Sequence, residues 1–309
     1  MANSKGSPID GWVIIDKPAD IGSTPIVSKV KRGLNASKVG HAGTLDPFAT
    51  GILPLALGQA TKTISYIQDA DKEYYFTLKF GEMTDTLDSE GIVIERSSVM
   101  PSQEEILEIL STFIGKITQI PPAYSAIKID GKRAYDLARA GVEVDVPSRL
   151  VSVYELEFLC LNGIDSADFR VKCGKGTYVR SLGRDIAKSL GSCGYLTALR
   201  RTRVGEYDLE CAISLEKFEE ITHKSKDIGD KMLPVESSLV GIPALTVADK
   251  KAGKLRSGLL LRGLQTEYDN DTIIVVKTIE YLIGFAMQVE GGLKPVKIFN
   301  NPILLKEKG

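Results

Sequence analysis

Val151-Ser152-Val153-Tyr154-Glu155-Leu156-Glu157-Phe158-Leu159-Cys160-Leu161 and, a few residues on, Ala167-Asp168-Phe169-Arg170-Val171-Lys172-Cys173 form the stretch on which the fold class turns. Both runs alternate apolar with polar residues, the period of a strand with one buried face. Tyr74, Phe76, Leu78 and Phe80 alternate in the same way with Tyr75, Thr77 and Lys79. Alternation of this kind suits an antiparallel or mixed sheet, because strands of a covered parallel sheet read as continuous apolar runs. Gly11 to Asp16, containing Trp12-Val13-Ile14-Ile15, is a buried strand, and Ile52 to Leu57 is a short apolar run. Helices are interspersed among these strands. The first has Ser23 or Thr24 as its cap, Pro25 in its first turn and Ile26, Val30 and Leu34 as its stripe. Ala60, Ile64 and Ile67 suggest another, and Ser102-Gln103-Glu104-Glu105 is a capping box opening a third that stops at Gly115. A fourth carries Val179, Leu182, Ile186 and Leu190. The class is α+β with a mixed, largely antiparallel sheet, not a doubly wound parallel fold.

The tail reads differently. From about Ser237, short strands (244–247, 273–276, 282–289 and 296–299) alternate with Gly-rich turns and little helix. This predicts a large α+β body over 1–236 and a small all-β module over 237–309, joined through a polar helical stretch near Glu216 to Leu233.

The chain has 309 residues, 43% of them hydrophobic and 26% charged, enough for about two domains with full cores. No apolar run approaches the ~20 residues of a spanning helix, and Met1 to Asp10 lacks a signal peptide's apolar stretch, so a cytoplasmic protein is expected. The four cysteines show no C-x-x-C spacing and there are two histidines, which argues against structural zinc and for reduced, mostly buried thiols. The net charge of −1 argues against a strongly basic nucleic-acid binder. Cations nevertheless cluster at Lys29/Lys31/Arg32/Lys38, Lys128/Lys132/Arg133/Arg139, Lys172/Lys175/Arg180/Arg184 and Arg200/Arg201/Arg203, while acids concentrate from Glu82 to Glu108. Such segregation can build one basic face on a neutral molecule, although each cluster alone suits ordinary solvated charge.

Two segments carry chemical signals. In Gly40-His41-Ala42-Gly43-Thr44-Leu45-Asp46-Pro47-Phe48-Ala49-Thr50-Gly51, Pro47 pushes Asp46 towards an extended conformation that presents its carboxylate. Composition alone equally describes an ordinary turn. In Cys173-Gly174-Lys175-Gly176-Thr177-Tyr178-Val179-Arg180, a helix capped by Thr177 would hold Arg180 in its first turn. The helix dipole disfavours a cation there by roughly 0.3–1 kcal/mol, so a carboxylate partner from elsewhere is expected. The Gly-Lys-Gly-Thr run lacks the spacing of a nucleotide phosphate loop.

These segments occur in order with Lys72-Glu73-Tyr74, Pro121-Pro122-Ala123-Tyr124-Ser125-Ala126-Ile127-Lys128, Gly131-Lys132-Arg133-Ala134-Tyr135 and Leu199-Arg200-Arg201. Together, over about residues 10–220, they resemble the bacterial TruB family of tRNA pseudouridine-55 synthases. The resemblance implies a pseudouridine synthase fold, a C-terminal PUA-like RNA-binding module, and isomerisation of the tRNA T-loop uridine without cofactor or metal. It implies Asp46 as the catalytic carboxylate, Arg180 as its partner, and Tyr74 stacked on the uracil with its hydroxyl near the C5 proton. Tyr178 and Leu199 would line the pocket, His41 would hold the flipped nucleotide, and Lys17 and Lys62 would touch the substrate backbone. Read without the family, Tyr74 is a core tyrosine, His41 a structural or exposed histidine, and the lysines surface groups. The segment from Pro122 to Val146 resembles the family's thumb, which grips the T-arm with basic and aromatic groups. Binding of tRNA is therefore expected to weaken steeply with salt, with no membrane, no obligatory protein partner and a monomeric enzyme. Three alternatives stay open: an Asp-dependent hydrolase using a metal at Thr84 to Asp88, a non-catalytic RNA-binding or tRNA-folding protein, and a related synthase acting on rRNA or guided by RNA. Whether Asp46 attacks C1′, adds to the ring or removes a 2′-proton is not legible in the residues.

Overall fold

A computed structural model of the chain describes residues 6–125, 128–129, 132–133, 146–264 and 266–304. The first part contains β1 (Gly11–Lys17), α1 (Ser23–Gly33), β2 (Val39–His41), β3 (Thr50–Leu57), α2 (Ile64–Asp69), β4 (Lys72–Phe80), β5 (Glu82–Thr84) and β6 (Val93–Arg96). Then come α3 (Gln103–Leu110), β7 (Gly115–Gln119), β8 (Lys128–Ile129), β9 (Lys132–Arg133), β10 (Arg149–Asn162), β11 (Ser166–Cys173), α4 (Val179–Ser189) and β12 (Gly194–Val204). The remainder is β13 (Tyr207–Asp208), β14 (Ile213–Ser214), α5 (Leu215–Lys224), β15 (Ala244–Thr246), α6 (Asp249–Arg256), β16 (Leu261–Arg262), β17 (Ile273–Lys277), β18 (Tyr281–Val289) and β19 (Gly292–Leu304). No helix among the described residues is long and apolar enough to cross a membrane.

The body is one ten-stranded sheet running β14-β1-β3-β12-β4-β11-β10-β7, with β2 added on β3 and β13 on β12. Only β1/β14 and β3/β12 pair in parallel, so the sheet is mixed and largely antiparallel, as the alternation predicts. The apolar residues of β4 and β11 bury on one side with α3 and α4, where Phe76 stacks on Phe169 at 5.1 Å. At the other end both faces of β1 are covered: Val13 and Ile15 pack with α1 and Phe218 of α5, and Trp12 and Ile14 pack in the opposite core. That second core also contains Val275, Leu282, Phe285 and Phe299 from the C-terminal strands. The tail's five-stranded sheet, β15-β17-β18-β19-β16, is the expected β module, carrying one helix, α6, that the sequence pattern did not announce.

Several local expectations hold and others shift. The capping box is present, with Ser102 and Glu105 bonded reciprocally. The cap of α1 is Gly22, not Ser23 or Thr24, and that of α4 is Tyr178, not Thr177. Both displaced hydroxyls bond elsewhere: Ser23 Oγ donates to the Leu45 carbonyl and accepts from its N–H, and Thr177 donates to Gly174. The thumb-like segment from Pro122 to Val146 lies mostly outside the described residues; within it β8 pairs antiparallel with β9.

Strand β12 was not anticipated, yet it is central. It pairs with β3 only through Arg200↔Thr50 and Arg201↔Gly51; in its first half the Leu196 N–H instead donates to Leu87 O at 3.1 Å, beside Asp88. At that seam the backbones nearly touch. Gly51 has φ 102°, and an added Cβ would stand 2.9 Å from the Arg201 backbone N and C and nearer still to its carbonyl oxygen.

Candidate active site

Loop 42–49 enters the seam between β3 and β12 and is held there from several directions. Leu45 and Phe48 bury in the core formed by Tyr74, Val179 and Leu199. Ser23 takes both backbone groups of Leu45. Lys17, fully buried at the end of β1, donates from Nζ to the carbonyls of Pro18, Ile21 and Pro47 at 2.8, 2.7 and 2.9 Å. Burial lowers its pKa to about 8, with the Asp46 carboxylate opposing the shift. Lys17 is thus a buried brace for the loop and not the surface group it is when read without the family. Arg201 clamps the same loop from below, its Nε donating to Ile52 O at 2.8 Å and its Nη atoms to Gly43 O at 3.2 Å and Thr44 O at 3.4 Å.

These ties present Asp46 to Arg180. The Arg180 Nε lies 2.9 Å from Asp46 Oδ2, while the Asp46 side chain keeps a third of its exposure. No well-aligned acceptor lies along the Nε–H direction, so this contact is an ion pair more than a directional hydrogen bond. Arg180 itself is 3% exposed. Its Nη1 donates to Thr86 O at 2.7 Å and to Asp88 Oδ2 at 3.0 Å, and its Nη2 to Tyr124 O at 2.9 Å. One guanidinium therefore serves two carboxylates, which answers why it occupies an unfavourable helix start. Burial raises the Asp46 pKa above the ordinary carboxylate value; Arg180 and Lys17 pull it down and Asp88 pushes it further up.

Asp88 was weighed in the sequence only as part of an acidic stretch. It is buried, accepting from Thr86 Oγ1 at 2.6 Å and Glu90 N at 3.0 Å as well as from Arg180. Leu87 before it sits at φ 62°, a strained conformation for a γ-branched residue that turns the chain so the carboxylate faces inward. The other acid of that stretch, Asp85, accepts from Ile92 N at 2.9 Å and Tyr124 Oη at 3.2 Å. The run Thr84-Asp85-Thr86-Leu87-Asp88 closed by Gly91 was the available signal, but the partner of Asp88 lies 92 residues away.

Tyr74 of β4 belongs to the buried core that Leu45, Phe48 and Leu199 share, and lies opposite Val171 of β11 and Arg201 of β12. Burial raises its hydroxyl's pKa, while the Arg201 charge and a hydrogen bond from it act downward. Tyr178 is half-buried, with Gln119 Oε1 accepting its N–H at 2.8 Å and the Arg149 guanidinium 4.6 Å from its ring centre. His41 ends β2, with a buried Nδ1 that has no hydrogen-bond partner. Burial and then Arg201 lower its pKa, which favours the neutral ring. Lys62 is not brought to this group. It donates to Ile298 O at 2.8 Å and Asn300 Oδ1 at 3.3 Å of β19, tying the body to the C-terminal strands. On the far side of the same sheet seam, Thr50, Tyr75, Thr77, Asp168 and Arg200 line a cleft of about 460 Å³ that also reaches Phe48 and Leu199.

Residues 31–179 match the TruB family pseudouridylate synthase (N terminal domain), and residues 180–240 the tRNA pseudouridylate synthase B C-terminal domain. The tRNA pseudouridine synthase B of Caulobacter sp. (strain K31) is 45% identical, over 96% of this chain and 97% of that protein. The Rhodospirillum rubrum protein of the same name is 40% identical, over 96% and 98%. Among solved structures, a chain in a Cbf5-Nop10-Gar1 complex superposes with a TM-score of 0.72 at 26% identity, covering 93% of this chain and 84% of that one. A chain of the archaeal box H/ACA sRNP Nop10-Cbf5 complex, at 23% identity and TM-score 0.70 over 96% and 92%, shares the fold.

Proposed function

The chain belongs to the TruB family of pseudouridylate synthases, and from that premise we propose that it isomerises uridine to pseudouridine in the T-loop of tRNA, at position 55. The observation that carries this reading is the Asp46–Arg180 ion pair at 2.9 Å, on a loop whose Leu45 and Phe48 pack in the same core as Tyr74 and Leu199. The reaction breaks the N1–C1′ bond, forms C5–C1′, removes the C5 proton and supplies one to N1. A base inside a folded T-arm must leave its stack to reach such a site, at a cost of a few kcal/mol. Asp46 acts as the carboxylate that engages the sugar or the ring, and Arg180 holds its ionised form. Tyr74 offers a ring to the uracil and its hydroxyl to the proton at C5. Leu199 and Tyr178 complete the walls, and His41, neutral at the edge of the loop, meets the flipped nucleotide.

The acids of 84–88 support this reading over a metal-using hydrolase, since Asp88 is turned onto Arg180 and Asp85 onto Ile92 and Tyr124. We assign the chemistry to residues 1–236, the grip on the T-arm to segment 122–146 (largely outside the described residues), and further RNA contact to a PUA-like module over 237–309. The reading is of a monomer acting on tRNA in the cytoplasm. The test is tritium release from 5-tritiated uridine in a tRNA, with a T-loop uridine-to-cytidine tRNA as control. Asp46→Asn is expected to abolish release while leaving tRNA affinity within a few-fold. Release at the parent rate would overturn the mechanism, and lost binding would give Asp46 a structural role.

A further inference from the structure

Arg201 is one of the largest fully buried side chains of the molecule, at 2% exposure. Its backbone partners are three carbonyls, of Ile52, Gly43 and Thr44, and it also hydrogen-bonds the Tyr74 hydroxyl. Among the described residues no carboxylate lies within ion-pair distance of it, whereas Arg170, Arg180, Arg184, Arg200 and Arg203 each have one. Burying a cation costs several kcal/mol unless an opposite charge compensates it. Holding a loop by its carbonyls calls only for neutral donors, so the charge itself asks for an explanation. The residue directly across the sheet is Tyr74. Opposed residues of an antiparallel pair project to one face with Cβ atoms roughly 4.5–5.5 Å apart. The acidic groups acting on Tyr74 from the surrounding elements are Cys173 of β11, whose thiol burial pushes up to about 12, and Asp46 of the loop, already paired with Arg180. Lys72, on Tyr74's own strand, donates to the Gln68 and Ala70 carbonyls.

We propose that Arg201 is the counterion of a Tyr74 phenolate formed during turnover, a role that rests on Tyr74 being the group that exchanges protons with the uracil. Cleavage of N1–C1′ leaves its electron pair on the uracil. The Tyr74 hydroxyl gives its proton to that anion, which becomes the N1–H of the product, and the phenolate so formed faces Arg201. Once C5–C1′ has formed, the C5–H bond breaks, its electron pair restores the ring double bond, and the proton returns to the Tyr74 oxygen. The hydroxyl is regenerated and no outside acid or base is consumed. Arg201 is thus a positioning and charge-stabilising residue that never touches the substrate.

The experiment uses T-arm RNA turned over once by the full-length protein in H₂O and in D₂O. Arg201→Gln, which keeps a donor but removes the charge, should slow turnover by roughly 10²–10³-fold, the scale of losing one oxyanion donor. It should also show a larger solvent deuterium isotope effect than the parent, because donation of the exchangeable Tyr74 proton, which leaves an uncompensated phenolate, becomes limiting. Arg201→Lys should recover part of the rate and lessen the solvent isotope effect; it also serves alone if the Gln variant does not fold, in which case its solvent isotope effect must still exceed the parent's. In a Tyr74→Phe background, Arg201→Gln should add little. Slower turnover with an unchanged solvent isotope effect, or an equal loss in the Tyr74→Phe background, would reduce Arg201 to a strap for the loop and overturn the inference. Turnover at the parent rate by Tyr74→Phe alone would instead remove the role given to Tyr74.

Discussion

Replacing Asp88 by Asn removes one of the two negative charges on Arg180 while keeping the shape of the side chain. Asp88 is 2% exposed and accepts from Arg180 Nη1 at 3.0 Å, Thr86 Oγ1 at 2.6 Å and Glu90 N at 3.0 Å. Breaking a buried ion pair outright costs about 3–5 kcal/mol because a bare charge remains. Here Arg180 keeps Asp46 at 2.9 Å and two carbonyls, so the loss is nearer that of weakening one charge-assisted hydrogen bond, about 2 kcal/mol. For a chain of this length that corresponds to a Tm decrease of roughly 4 °C, measurable by thermal unfolding. The second consequence concerns pH. Asp46 must be ionised to act, and its raised pKa places the acid limb of kcat/KM above the ordinary carboxylate range, rising with pH. Asp88 is one cause of that rise, so the Asn variant's acid limb should move to lower pH. Turnover at the plateau should still fall, by roughly 10-fold to 100-fold, because a loosened guanidinium no longer fixes the carboxylate. A variant as stable as the parent, with its acid limb unmoved or moved upward, would refute the coupling of the three side chains.

Lys17→Met should lower Tm and kcat together and leave tRNA affinity within a few-fold, since the lysine's partners are three carbonyls, Pro47's included. Weakened tRNA binding at unchanged Tm would restore a substrate contact. Gly51→Ala should reduce turnover by at least about 10²-fold, as a wedge between β3 and β12 displaces the loop by a fraction of an ångström or more. Its effect should appear in kcat more than in tRNA affinity, and wild-type kinetics would show that the seam can open without consequence.

How far the sequence goes can be judged strand by strand. β4, β10 and β11 were legible because each keeps its alternation over most of its length and buries a single face. β12 was not, because irregularities between Leu196 and Ala198 and between Arg201 and Arg203 twice shift its register, so neighbouring residues no longer alternate. α6 offered only Ala252 and Leu255 as buried residues, too few for a stripe. The caps of α1 and α4 were misplaced for one shared reason: Ser23 and Thr177 have the right chemistry but bond to other carbonyls. Arg180's awkward position did forecast a carboxylate partner, and the structure supplies two. What no local pattern could convey was distance in the chain. Asp88, Lys17 and Arg201 gain their roles only when β1, the β5–β6 hairpin and β12 converge on one loop.

The seam at Gly51 has a consequence for how such a site can diverge. Where two strands meet backbone to backbone, no side chain is available to be traded for a slightly larger or smaller one. Substitution can remodel the walls, Phe48 and Leu199 among them, and so retune which nucleotides are accepted. It cannot gradually reset the spacing between the acid loop and the strand that carries Arg201. Variation in substrate choice and preservation of the chemical step are thereby assigned to different atoms, the first to side chains and the second to the main chain.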